Sequence, residues 1–199
     1  MTLHADALAV LADWRAPHDE QERLRERYAA HLRAHPDGMT RTCRPDHLTA
    51  STVVLSGDGS AVLLTLHAKA HRWFQFGGHC EPDDTTVAGA ALREATEESR
   101  LARLDHDPDP VQLSEHAVPF CGDAGNVHHL DVRFVAVAPD GAEHAVSDES
   151  LDVRWWPVDA LPEPEPDLVE AIALARDRVR QSSSNGGGSS LAAADQPIR

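Results

Sequence analysis

The sequence predicts an α+β domain, an α/β/α sandwich on a mixed β-sheet with a helical appendage at its N-terminus. Three observations predict it. The opening residues carry apolar positions at helical spacing. The pattern changes near Leu48 to short β-rich runs. One small-residue helix interrupts those runs, and a last helix follows them.

The elements follow in chain order. "LHADALAVLADW" places Leu3, Ala7, Leu8, Val10 and Leu11 at helix-like intervals, and "DEQERLRERYAAHLRAH" places Leu24, Tyr28, Ala29 and Leu32 on one stripe. Pro36 and Gly38 stop that helix. Residues 1–45 therefore form an N-terminal helical extension, expected as a packing or dimer surface, so that a homodimer is open to the chain. Residues 46–180 form the main domain. "TASTVVLSGDGSAVLLTLHA" is two β-runs around "SGDGS", a hairpin signal. "RWFQF" is a short apolar strand leading into a Gly77–Gly78 turn, and Thr85 to Ser99 forms the central helix. "VQLSEHAVPF", "HLDVRFVAVA" and "DVRWWPV" are further strands, and "EPDLVEAIALARDRVR" is the last helix, with Leu168, Ile172, Ala173 and Val179 near helical spacing. The Ser/Gly-rich tail, residues 181–199, is expected to be disordered.

A formal net charge of -15 argues against a nucleic-acid backbone as partner, because phosphate binding needs clustered Lys and Arg. It also means that a polyanionic small substrate needs a cation to bridge it to the protein. Cys43, Cys80 and Cys121 share no CxxC spacing, and free thiols in a reducing cytoplasm are the simplest reading. The start of the chain has no basic segment and carries Asp6 and Asp13, unlike a signal peptide. No apolar run approaches the roughly 20 residues that span a bilayer, so no membrane partner is expected.

The densest chemistry lies in "GGHCEPDDTTVAGAALREATEESRL", from Gly77 to Leu101. On a helix, Glu94, Glu97 and Glu98 fall within a sector of roughly 100°, while Ala88, Ala91, Leu92 and Ala95 form a neighbouring stripe that can pack closely on a sheet. Asp83, Asp84 and Thr85 supply acidic or capping residues at the start. Arg93 lies four residues before Glu97 and beside Glu94, where it can pair with a carboxylate and fix its rotamer. Like charges so close repel, and two readings compensate: a hard divalent cation with oxygen ligands, Mg²⁺ or Mn²⁺, or a plain solvated face.

These residues resemble the Nudix box, G-x5-E-x7-R-E-U-x-E-E-x-G-U with U a bulky aliphatic. Gly78, Arg93, Glu94, Glu97, Glu98 and Leu101 match it. Asp84 stands where Glu is usual, Ala95 where a larger aliphatic is usual and Arg100 where Gly is usual, and the loop from Asp84 to Arg93 is one residue longer. Together with "GGHCEP", "HHLDVRF" and "VRWWPVDALP", the resemblance covers about Leu48 to Val179 and implies a Nudix-type sandwich. It implies a metal-dependent pyrophosphohydrolase acting on a nucleoside diphosphate linked to another moiety, with Mg²⁺ or Mn²⁺ as cofactor. By position, Glu94, Glu97, Glu98 and the Gly78 carbonyl are implied metal ligands, Glu97 also orienting or deprotonating the water, and Arg93 holds the carboxylates. A later acidic residue often assists in the family. "SDES" offers Asp148 and Glu149, of which Glu149 is the choice. The alternative is a catalytically weak Nudix-fold module that binds or senses a nucleotide. Arg100 marks a helix end that often needs the left-handed conformation, at a cost of about 1 kcal/mol for a non-Gly residue.

The histidines form a second expectation. His79 follows the Gly pair, His128 and His129 open a strand, and His116 lies on the strand before it. If the sheet gathers them, they make a site for Zn²⁺ or for substrate phosphate; otherwise they are surface and strand-packing residues. His79, His129 and Asp131, which shares the His129 face, are the substrate-binding candidates. Of Trp155 and Trp156, which alternate on a strand, one is expected in the core, leaving the other free to stack a base.

Overall fold

The computed structural model describes residues 1–118, 121, 127–148 and 150–186. Two helices open it, α1 (Leu3–Asp13) and α2 (Asp19–Ala34). The Thr2 hydroxyl caps α1 by accepting the Ala5 N–H, and α2 carries Asp19, Glu20 and Glu22 in its first turn and His31 and Arg33 in its last, each favourable to the helix dipole. Strands β1 (Asp46–Leu55), β2 (Ala61–His67), β3 (Trp73–Phe74) and β4 (Phe76–His79) follow, then α3 (Val87–Ser99). The chain continues through β5 (Asp105–His106), β6 (Gln112–Ala117), β7 (His128–Val137), β8 (Ser150–Pro157) and α4 (Pro166–Gly186).

The eight strands form one mixed sheet in the order β3-β2-β1-β7-β5, with β4 on β1, β6 on β7 and β8 on β2. β1 and β7 run parallel, His47 opposite His129 and Thr49 opposite Asp131, and every other pairing is antiparallel. Two apolar layers cover the sheet. Leu48 and Ala50 of β1 with Leu130, Val132 and Phe134 of β7 meet α1, α2 and the alanines of α3. Val53, Leu55, Val62, Leu64 and Val135 meet Leu168, Ala171, Ile172 and Ala175 of α4. This is the α/β/α sandwich expected.

The N-terminal helices pack on the domain and tie down parts of it that matter for the site. The Gln21 amide bridges the Leu113 backbone, its Nε2 donating to the carbonyl at 2.9 Å and its Oε1 accepting the N–H at 2.6 Å, which occupies the outer edge of β6. Asp6 on α1 accepts the Val87 N–H at 2.8 Å, satisfying a donor in the first turn of α3.

Some elements differ from expectation in their details. Gly77 and Gly78 are strand, not turn, because they pair with Ser51 and Ala50 of β1. A Cβ at Gly77 would meet the Ser51 Cβ at 2.3 Å and the Ala50 carbonyl at 2.8 Å, so only glycine lets the two strands approach this closely. "RWFQF" accordingly splits at Gln75, β3 pairing with β2 and β4 with β1. Helix α3 starts at Val87 with Thr86 as its cap, the hydroxyl accepting the Gly89 N–H at 3.0 Å. α4 continues to Gly186, past the expected end near Arg180, and residues 187–199 lie outside the described residues.

Candidate active site

A cleft of about 1660 Å³ opens on the sheet face formed by alternate residues of β1, β4, β6 and β7. Strand alternation sends His47, Thr49 and Ser51 of β1 and His129, Asp131 and Arg133 of β7 to that face, while their neighbours enter the apolar layer behind it. The floor is therefore polar although it is central sheet. Glu94, Glu97 and Glu98 of α3 line the same cleft, as do Gly78, Arg93 and Asp148.

Close contact between α3 and the sheet positions the carboxylates. Ala90, Ala91 and Ala95 are fully buried, and the Thr52 hydroxyl donates to the Ala91 carbonyl at 3.1 Å. Arg93 then organises the cluster. Its Nε and Nη2 donate to the two oxygens of Asp84 at 3.1 and 3.0 Å, and its Nη1 donates to Glu94 at 3.1 Å and to Glu97 at 3.2 Å. Nη2 also reaches the His79 carbonyl at 3.1 Å. The Asp84 hydrogen bond first, then burial working against it and nearby negative charge, leave the Arg93 pKa raised. Burial pushes Asp84 up, yet the hydrogen bonds from Arg93 and the Glu81 backbone outweigh it and leave the carboxyl below its ordinary range. Glu98 is only 9% exposed, whereas the Glu97 side chain is 58% exposed. One carboxylate is thus held in the protein and another faces solvent.

The residues present fit a hard divalent cation. Three carboxylates line one cleft, and a Cβ at Gly78 would lie 2.7 to 2.9 Å from the Glu94 carboxylate group. Glycine at 78 leaves room for that carboxylate against β4. Glu149 lies outside the described residues, and its neighbour Asp148 is among those lining the cleft. Arg100 adopts φ 59° and ψ 16°, the left-handed conformation for which glycine is the usual residue.

A profile of the NUDIX domain matches residues 45–175. The chain belongs to the NUDIX family. As a member it is a hydrolase acting on a phosphoanhydride bond, and the family generally works with divalent metal ions. The fold agrees with solved NUDIX structures. A NUDIX hydrolase from Clostridium perfringens has 21% identity and a TM-score of 0.53, over 68% of this chain and 97% of the other. The dihydroneopterin triphosphate pyrophosphohydrolase of E. coli has 19% identity and a TM-score of 0.54, over 68% and 97%. The NUDIX domain of Shewanella oneidensis NrtR, solved with ADP-ribose, has 21% identity and a TM-score of 0.52, over 70% and 92%. No curated protein sequence matches the chain. Among the described residues, no helix is long and apolar enough to cross a membrane.

The histidine expectation is met in part and changed in its membership. His79 and His129 come together, ring centroids 4.9 Å apart, and His116 stands 5.6 Å from His129. His128 does not join them. It turns to the other side of β7, where its Nδ1 meets Asp46 at 3.1 Å. The sequence reading missed His47 and Cys121, which do join. His47 was findable only through the parallel β1–β7 register, which no local pattern carries.

Asp131 is engaged throughout, accepting from Thr49 at 2.9 Å, Ser51 at 2.6 Å and Arg133 at 3.1 Å. Burial raises its pKa, but Arg133, His116 and the two hydroxyls more than offset this, and the carboxyl stays below its usual range. Trp155 and Trp156 are both half-buried. Trp156 packs edge-on against Trp73 at 5.3 Å, and neither lines the cleft, whereas Trp73 and Phe74 do.

Proposed function

We propose that this chain hydrolyses a small nucleoside diphosphate linked to another moiety, using Mg²⁺ or Mn²⁺ held by Glu94, Glu97, Glu98 and the Gly78 carbonyl. The observation that carries the reading is the Arg93-centred carboxylate cluster lining the cleft, with Glu94 against Gly78. A divalent cation bound there supplies positive charge to the diphosphate oxygens and acidifies the attacking water. The chain's own residues do the rest. Glu97, the exposed carboxylate, accepts the proton of the attacking water as the new P–O bond forms. The bridging P–O bond breaks, and the leaving phosphate or nucleotide takes its electron pair. Arg93 keeps Glu94 and Glu97 from swinging apart, and Glu149 is the auxiliary base.

On the substrate side, Arg41, Lys69, Arg72 and Arg100 at the cleft offset part of the acidic charge around the phosphates. Trp73 and Phe74 offer aromatic area for a base. His79 and His129 form a wall of the substrate cleft. Asp131 lines the same cleft, its oxygens committed to Thr49, Ser51 and Arg133. A net charge of -15 suits a free nucleotide in the cytoplasm, bridged by a cation, better than a nucleic acid.

The test is a panel of ADP-ribose, dinucleoside polyphosphates, nucleotide sugars, NADH and oxidised nucleoside triphosphates with Mg²⁺ or Mn²⁺, run beside Glu97→Gln and Glu98→Gln. Turnover of at least one compound, lost in both variants while they stay folded, is expected. Binding of ADP-ribose, the ligand seen with the NrtR domain, without turnover of any compound would make the chain a sensing module instead.

A further inference from the structure

Beside the carboxylates, at the end of the sheet where β1 and β7 begin and β4 ends, lies a cluster with no acidic member. The Nε2 atoms of His47 and His79 are 3.1 Å apart. Cys121 Sγ lies 3.5 Å from His79 Nε2 and 4.0 Å from His47 Nε2. His129 completes the group, and the four donor atoms all lie within 4.8 Å of one another. Zinc bonds of about 2.0–2.1 Å to nitrogen and about 2.3 Å to sulfur make the edges of a tetrahedral site roughly 3.3–3.6 Å long. The His47–His79 and His79–Cys121 separations, 3.1 and 3.5 Å, already stand near those edges.

Three further observations point to a metal. His47 places Nδ1 3.2 Å from the Cys43 carbonyl, and an Nδ1–H donated there leaves the Nε2 lone pair facing the cluster. His129 Nε2 is buried with no hydrogen-bond partner among the described residues, a lone donor atom directed at nothing else. The cluster offers three imidazole rings and a thiol and no carboxylate, a donor set for a borderline-soft cation. Imidazole and thiol ligands select Zn²⁺ over Mg²⁺ or Mn²⁺.

We propose that His47, His79, His129 and Cys121 form a tetrahedral Zn²⁺ site separate from the carboxylates of α3. Four protein ligands close the coordination shell, so the ion is structural. Cys121 comes from the connection between β6 and β7, and its backbone is held by Arg44 at 2.8 Å and Val118 at 3.1 Å. The ion joins that connection to three strands. It also fixes His79, whose carbonyl receives Arg93 and which directly follows Gly78, so the zinc site sets the end of β4 on which the catalytic cluster is built.

The test uses the full chain and needs no substrate. Metal analysis after zinc dialysis and gel filtration is expected to find one Zn²⁺ per chain. Replacement by Co²⁺ is expected to give the intense visible bands of tetrahedral coordination and a thiolate-to-cobalt charge-transfer band. Cys121→Ser should lose the charge-transfer band, and Cys43→Ser, which changes a cysteine outside the set, should keep it. Glu98→Gln should keep the zinc, which separates this site from the carboxylates. A folded wild-type protein that retains no zinc overturns the proposal, as does a weak octahedral cobalt spectrum or a charge-transfer band that survives Cys121→Ser. If Cys121→Ser does not fold, the wild-type zinc content and cobalt spectrum decide alone.

Discussion

Arg93 donates to both oxygens of Asp84, from Nε to Oδ1 at 3.1 Å and from Nη2 to Oδ2 at 3.0 Å. This two-pronged pair accounts for one departure from the Nudix box, Asp84 in place of Glu. Asp84 is shorter than the usual glutamate, and the loop to Arg93 is one residue longer, yet the carboxylate still meets the guanidinium. Arg93→Lys keeps the charge but cannot span both oxygens and Glu94 and Glu97 together. We expect Arg93→Lys and Asp84→Ala each to lower kcat by about 10²-fold, the scale of misplacing catalytic groups by about 1 Å. Since they act through one pair, the double variant should lose far less than the product, a coupling on the order of 1–3 kcal/mol. Strictly multiplicative losses would show that the pair does not act as a unit.

The two glycines of β4 should fail differently. A Cβ at Gly77 meets the Ser51 Cβ and the Ala50 carbonyl, part of a paired strand that cannot yield. The nearest atoms to a Cβ at Gly78 are those of the Glu94 carboxylate group, the far end of a flexible side chain. Gly77→Ala should therefore lower the denaturation midpoint sharply. Gly78→Ala should stay folded and lose turnover, because Glu94 must leave its place. Urea melts alongside rate measurements would check this, and equal stability losses in both would contradict it.

Arg100 holds a left-handed conformation at the end of α3, with its N–H bonded to the Thr96 carbonyl at 3.0 Å. That conformation costs a non-glycine residue about 1 kcal/mol. Arg100→Gly should raise Tm by about 2–4 °C, the shift that about 1 kcal/mol gives a chain of this size. Scanning calorimetry would measure it, and a lower Tm would mean that the Arg100 side chain makes a stabilising contact larger than the strain.

His106 on β5 packs beside Phe134, ring centroids 5.5 Å apart, with Thr52 Oγ1 3.4 Å from its Nε2. Burial lowers its pKa, and Asp107 opposes only part of the effect. The unfolded chain, with His near 6.5, binds the proton more readily. Stability from this group is thus complete above pH 6.5 and falls as pH drops below that toward the folded-state value. Its slope is at most about 1.4 kcal/mol per pH unit. The His106 ring should titrate below 6.5 by NMR, and His106→Gln should flatten the pH dependence of the urea midpoint. A ring that titrates at 6.5 or above would refute the prediction.

Local pattern made much of this molecule legible. Apolar spacing gave α1, α2 and α4, the "SGDGS" turn gave the β1–β2 hairpin, and the spacing from Gly78 to Leu101 gave the carboxylate helix and its arginine. Each depends on residues close together in the chain, where periodicity and turn chemistry act directly. Element edges were less visible: β5 is two residues long and carries no period, and Gly77–Gly78 read as a turn because glycine's use as a close-approach residue depends on the strand beside it.

What the sequence by itself determined was the family and the chemical character of α3, since those carboxylates share one helix face wherever the helix sits. Only the tertiary structure decided what surrounds them. The parallel register of β1 and β7 set His47 opposite His129, β4 brought His79 beside them, and the chain after β6 brought Cys121. Residues up to 82 positions apart, such as His47 and His129, meet because backbone hydrogen bonds fix one register out of many. Shifting that register by one residue would send each of these side chains to the opposite face, and no property of the individual residues announces which register is formed.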